Sequence, residues 1–142
     1  MRGLGMRRGI EPREISGGAM KKFKVLIVED DEVTAALEKQ ILENEGFEVD
    51  TAGDGLEGLE KIGLNRYDVI ISDFDMPRMK GDELQIEVQK LSQDLAKRMI
   101  FVSGNAYCFT RLRESPLLLK PFSFEQLVEA INNLISSDVE PG

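Results

Sequence analysis

Five side chains capable of chemistry stand at equivalent places, each directly after a short apolar run. Glu29 and Asp30 follow Phe23 to Val28 (FKVLIV), and Asp73 follows Asp68 to Ser72 (DVIIS). Ser103 follows Met99 to Val102 (MIFV), and Lys120 follows Leu117 to Leu119. Clustered carboxylates repel one another, so grouping them requires a divalent cation, and an all-oxygen donor set suits Mg²⁺. Such a cation can bridge Asp73 and an incoming phosphoryl group, offsetting the repulsion between two anions. Lys120 adds positive charge at a second phosphoryl oxygen, and the Ser103 hydroxyl can donate to a third. Gly104, without a side chain, leaves the approach beside Ser103 open. Asp73 is the natural nucleophile because the strands carrying the other groups flank it. The chemistry these residues suit is phosphoryl transfer to a carboxylate.

Taken singly, each residue has a plainer role. Asp30 or Asp31 can cap a helix, Asp73 and Ser103 can start turns, and Lys120 can be a solvated lysine. Those roles do not require the residues to converge.

Composition removes many competitors. The chain has 142 residues, 42% of them hydrophobic, enough for one domain with one core. It contains no histidine, which rules out histidine metal sites, histidine acid–base catalysis and a phosphohistidine of its own. The net charge of −8 argues against a nucleic-acid groove binder. A single cysteine, Cys108, excludes an internal disulfide and fits a reducing compartment. No apolar run is long enough to span a bilayer, so a soluble, cytoplasmic protein is expected, with no membrane or nucleic-acid partner.

The elements that must position the five groups follow from periodicity. Residues 1–20 carry Arg2, Arg7, Arg8 and Arg13 with five glycines and no sustained pattern. They read as a disordered tail or an upstream start, with Met20 a natural beginning for the folded part. Phe23 to Val28 is a buried strand, and Glu32 to Glu45 a helix with Val33, Ala36, Leu37 and Ile41 on its apolar face and Gly46 as its stop. Phe47 to Ala52 alternates as an edge strand does. Asp54 and Glu57 open a short helix using Leu56, Leu59 and Ile62. Val69 to Ile71 are apolar on consecutive positions, the mark of a central parallel strand.

Asp82 to Gln85 predicts another cap, followed by a stripe of Leu84, Val88, Leu91 and Leu95. Met99 to Val102 is a fourth strand and Leu117 to Leu119 a fifth. Between them, Asn105 to Ser115 predicts at most a short helix around Phe109 to Arg113. Ser123 and Gln126 form a capping box, with Phe122 and Leu127 at hydrophobic-staple positions of the last helix. Ser136 to Gly142 is expected to fray. Five strands alternating with helices predict an α/β, doubly wound parallel sheet whose strands all end on one edge.

On these residues the chain resembles the receiver domain of two-component response regulators. The resemblance covers roughly residues 21–137 and rests on VLIVEDD (Val25 to Asp31), SDFDMPRMKG (Ser72 to Gly81), Ser103-Gly104 and LLLKPF (Leu117 to Phe122). It implies the flavodoxin-like strand order 2-1-3-4-5. It also implies that Asp73 accepts a phosphoryl group from a sensor histidine kinase or a histidine phosphotransfer protein. Asp30 becomes the direct Mg²⁺ ligand, Glu29 acts through water, and the backbone carbonyl of Asp75 completes the protein's share. A cis Lys120-Pro121 bond is expected. Ser103 and Lys120 stand closer together than is usual in the family, implying a shortened or irregular fourth helix. Leu117 occupies the place, three before the lysine, where an aromatic switch usually sits. Asp75, two beyond the acceptor, holds a position that tunes acyl-phosphate hydrolysis.

Two other readings compete. Asp73-Phe74-Asp75 also resembles the D-x-D of haloacid-dehalogenase-type phosphatases, but the acid pair here precedes that motif and no Asp-Asp or Glu-Asp pair follows Asp82. A degenerate receiver that only binds protein would share the fold, and the complete set Asp30, Asp73, Ser103 and Lys120 argues against it. The expectation is a switch and not an enzyme, acting through a downstream protein or relaying its phosphoryl group to a histidine on another protein, because the length leaves no output domain.

Overall fold

The computed structural model describes residues 13–14, 20–105 and 115–139. Five strands, β1 (Lys24–Val28), β2 (Glu48–Ala52), β3 (Val69–Asp73), β4 (Met99–Ser103) and β5 (Leu117–Leu119), form one sheet. Its order is β2-β1-β3-β4-β5 with every pairing parallel, the flavodoxin-like arrangement expected. β1, β3 and β4 lie inside, and β3 and β4 are buried at every position, as residues covered on both faces must be. The helices are α1 (Glu32–Asn44), α2 (Gly55–Leu64), α3 (Gly81–Leu91), α4 (Gln93–Ala96) and α5 (Phe124–Val139). Leu26, Ile70, Leu84, Val88, Met99 and Phe101 belong to the core under α2 to α4. Val25, Ile71, Leu42, Leu127 and Ile131 belong to the core under α1 and α5.

Several local expectations hold. Asp54 accepts from the Glu57 N–H at 2.9 Å and so caps α2. Ser123 and Gln126 exchange backbone-to-side-chain bonds of 2.8 and 3.1 Å at the start of α5. Gly46, at φ +101°, follows the end of α1 in a conformation a side chain would strain.

Others are corrected. The buried side of α1 is Ala35, Glu38 and Leu42, whereas Val33 and Leu37 are exposed. Both stripes satisfy helical spacing. The structure buries the one containing a charge. In α2, Leu56 faces out while Gly55 and Gly58 face in: a Cβ on Gly58 would stand 3.0 Å from Val28 Cγ2, so the helix sits close to β1. α3 starts at Gly81, with the Glu83 carboxylate accepting from the Lys80 N–H at 2.9 Å, so Asp82 lies in the first turn and is not the cap. The stripe Leu84 to Leu95 is broken, because Ser92 ends α3 and caps α4 through the Leu95 N–H. Leu91 is thereby turned outward.

Arg13–Glu14 pairs antiparallel with Met20–Lys21, inside the stretch expected to lack structure. The rest of that tail, the short helix around Phe109 to Arg113, Cys108 and residues 140–142 lie outside the described residues. α5 runs through Val139, beyond the Ser136 at which fraying was expected to begin.

Candidate functional site

Strand register alone brings the five groups together. Val28 pairs with Ser72, which sets Glu29 beside Asp73. Asp73 pairs with Val102, placing Ser103 one step further along. Ser103 pairs with Leu119, placing Lys120 one step beyond that. Backbone bonds carry the ladder past the strand ends: Glu29 N–H to Ala52 O at 2.9 Å, Phe74 N–H to Val102 O at 2.9 Å, and Lys120 N–H to Ser103 O at 2.8 Å.

The side chains converge accordingly. Lys120 Nζ lies 3.7 Å from Asp73 Oδ2 and 3.8 Å from Glu29 Oε1. Glu29, Asp30 and Asp73 each offer an oxygen within 4.8 Å of the others. Glu29, Asp73 and Ser103 are buried while Asp30 is exposed, so the cluster has a closed floor and an open side. Glu29 Oε2 accepts from the Asp31 N–H at 3.1 Å, and Asp73 Oδ1 accepts a long 3.4 Å bond from the Asp75 N–H. The Lys120-Pro121 bond is cis, as expected.

Burial pushes the Glu29 carboxyl up to about 7, against the pull of the Asp31 N–H and Lys120. Burial also raises Asp73, opposed first by Lys120. Both shifts have one main origin, the removal of the carboxylates from water.

The residues fit a divalent cation. Glu29 Oε1 is buried without a hydrogen-bond partner, and every donor is a hard oxygen. Three carboxylates against one lysine leave two uncompensated negative charges when ionised, and Mg²⁺ supplies two positive ones. The Ser103 hydroxyl accepts from the Asn105 N–H at 3.0 Å and so stays close to the backbone beyond β4. A Cβ on Gly104 would meet nothing within 4 Å, so the approach there is open. Leu117, at the place of the aromatic switch, is half-buried against the α2–α4 core.

Sequence reasoning missed what anchors the acceptor loop. Phe74 and Met76 are buried, and the Phe74 ring meets Phe101 edge-on with centroids 6.4 Å apart. Gly81 donates to Phe74 O at 2.8 Å, and a Cβ there would come within 2.9 Å of Phe74 Cα. Arg78, at φ +71°, reaches Asp54 with its guanidinium. That ion pair holds Asp54 below the usual carboxylate range, after the Glu57 N–H bond. Gly81 after a proline turn was a usable signal for close approach, but the Arg78–Asp54 pair spans 24 residues and no local pattern marks it.

Residues 25–132 match the family model of the response regulator receiver domain. The transcriptional regulatory protein CutR of Streptomyces coelicolor is 32% identical over 115 residues, covering 79% of this chain and 53% of that protein. The chain thus spans about half the length of the regulators it matches. A CheY-like receiver domain protein of Methanospirillum hungatei is 31% identical with TM-score 0.78, covering 86% of this chain and all of that one. The response regulator TrrA of Thermotoga maritima, solved in complex with Mg²⁺-BeF, is 30% identical with TM-score 0.73, covering 79% and 98% of the two chains. This chain therefore belongs to the response regulator receiver domain family of two-component signalling.

Proposed function

We propose that the chain is a phospho-acceptor switch, modified on Asp73 by a phosphohistidine of a sensor kinase or histidine phosphotransfer protein. The observation that carries this reading is the placement of Lys120 Nζ almost equally between Asp73 and Glu29, above a three-carboxylate cluster. An Asp73 carboxylate oxygen attacks phosphorus in line. The new P–O bond forms as the P–N bond breaks, and the imidazole leaves with that electron pair.

Glu29, Asp30, Asp73 and the backbone carbonyl of Asp75 would hold Mg²⁺, Asp30 directly and Glu29 through water. The ion supplies charge neutralisation between acceptor and phosphoryl oxygens. Lys120, already beside Asp73, turns its ammonium to a phosphoryl oxygen. The Ser103 hydroxyl gives up its backbone contact to donate to another, and Gly104 leaves the space for that move. Phosphorylation adds charge at the rim and shifts the population of conformations beyond β4. With Leu117 in place of an aromatic ring, that shift runs through Ser103. Output passes to a downstream protein in the cytoplasm, and the chain turns over no substrate of its own.

Intact mass after incubation with Mg²⁺ and acetyl phosphate tests this directly. One phosphoryl increment is expected in the wild type and none in Asp73→Asn or with chelator. No increment in a folded, Mg²⁺-binding wild type would overturn the reading in favour of a phosphate-independent binding module.

A further inference from the structure

The loop after the acceptor bends through a turn that an arginine disfavours. Met79 N–H donates to Pro77 O at 2.8 Å, closing a three-residue turn around Arg78, whose φ is +71°. A γ-turn centred on positive φ is the rare, strained form, and a side chain at its centre adds to the strain. Arg78 is the one non-glycine residue at positive φ among the described residues, and it lies in the loop that follows Asp73. Strain kept beside a reacting group points to a use.

What the turn touches shows that use. Arg78 Nε donates to Asp54 Oδ2 at 3.0 Å, and a terminal nitrogen of the guanidinium meets the same oxygen. Asp54 is itself fixed, because Oδ1 caps α2 through the Glu57 N–H. Beside it, a Cβ on Gly55 would stand 2.8 Å from Met79 Cβ, so the loop lies directly against the first turn of α2. The base of the loop is held separately, by Gly81 N–H to Phe74 O and by Phe74 N–H to Val102 O. Between base and clamp lies Asp75, whose N–H reaches Asp73 Oδ1 at 3.4 Å. That bond is long, so small shifts of the loop decide whether it forms.

We propose that Arg78 is a positioning residue for phosphoryl transfer: by clamping the turn to the α2 cap, it sets the loop that aims the Asp75 N–H at the acceptor carboxylate. The inference rests on the reading of Asp73 as phospho-acceptor. Holding Oδ1 on that N–H fixes the rotation of the Asp73 carboxylate and leaves Oδ2 toward Lys120. An acceptor held in one orientation reacts faster than one that rotates. Arg78 acts through the loop and not on the donor.

The rate of phosphoryl incorporation from acetyl phosphate with Mg²⁺, followed by intact mass on the full chain, tests this together with the Asp75 amide resonance by NMR. Arg78→Gly suits the turn but removes the clamp, so it should melt near the wild type while reacting about three- to tenfold more slowly. Asp54→Asn should slow the reaction to a similar extent, and the double variant should be no slower than Arg78→Gly alone. Arg78→Lys, which restores a cation facing Asp54, should recover part of the rate. The Asp75 resonance should move in Arg78→Gly and return toward its wild-type position in Arg78→Lys. Folded variants that react at the wild-type rate, or an Asp75 resonance unmoved by Arg78→Gly, would overturn the inference and leave the phospho-acceptor reading standing. Losses that add in the double variant would do the same, as would a rate that rises in Asp54→Asn, which would show Arg78 acting on the donor itself. A wild type that gains no phosphoryl group would overturn both.

Discussion

The two faces of the sheet are covered by similar helices but treat charge in opposite ways. The buried residues of α2, α3 and α4 are Gly55, Gly58, Ile62, Gly81, Leu84, Val88, Leu95 and Ala96, none of them ionisable. Those of α1 include Glu38. The first face also grips the acceptor loop, through Phe74, Met76 and the close approach of Gly81. An apolar, tightly packed face holds a loop in one geometry because any shift opens voids. A face with a buried carboxylate gives up some stability when that carboxylate is ionised. The packing that holds the acceptor loop and the helix that buries a carboxylate thus lie on opposite sides of one sheet.

Substitutions can break this division, and the largest effect belongs to the gripping face. Gly81→Ala forces a methyl against Phe74 Cα and the Phe101 ring. It should cost about 3 kcal/mol in urea unfolding and loosen the acceptor loop in hydrogen exchange. A stability unchanged by that methyl would show that the loop is not held there.

On the α1 face, Glu38→Leu should stabilise the protein by about 2 kcal/mol at pH 8. The folded-state value of Glu38 is raised, to about 7. Its favourable protonated form is therefore fully present below the unfolded value near 4.5 and lost as pH rises through about 7. The advantage of leucine should shrink as pH falls toward 4.5, as thermal melts across that range can check. A gap that does not vary with pH would remove the charge argument.

Smaller effects sharpen the boundary between the faces. Asp54→Asn keeps an acceptor for the Glu57 N–H but loses the charge opposite Arg78. It should cost about 0.5 kcal/mol, and the difference should fade in high salt. Gly104→Ala meets open space and should stay within about 0.3 kcal/mol of wild type by chemical denaturation.

Much of this was legible because it is local or repetitive. Val69 to Ile71 reads as a central strand because apolar residues on consecutive positions need cover on both faces. Ser123 and Gln126 cap α5 through atoms three residues apart. The convergence of Glu29, Asp73, Ser103 and Lys120 needed only that parallel strands end on one edge. The face of α1 was not legible, because Val33–Leu37–Ile41 and Ala35–Glu38–Leu42 both obey helical spacing and hydrophobicity favours the stripe that faces out. The break at Ser92 was hidden in the same way, by a leucine stripe that ran across it.

The run of strands, the caps of α2 and α5 and the residues at the strand ends were legible in the chain alone, because each depends on neighbours within a few positions or on a repeating period. The rotation of α1, the cradle of Gly81 against Phe74 and Phe101, and the Arg78–Asp54 pair were decided only in three dimensions. Each brings together residues distant in sequence, and what selects them is the space left between packed elements. Glu38 belongs with these: nothing in its neighbours marks it as buried, and its character comes from the low-dielectric place into which α1 turns it.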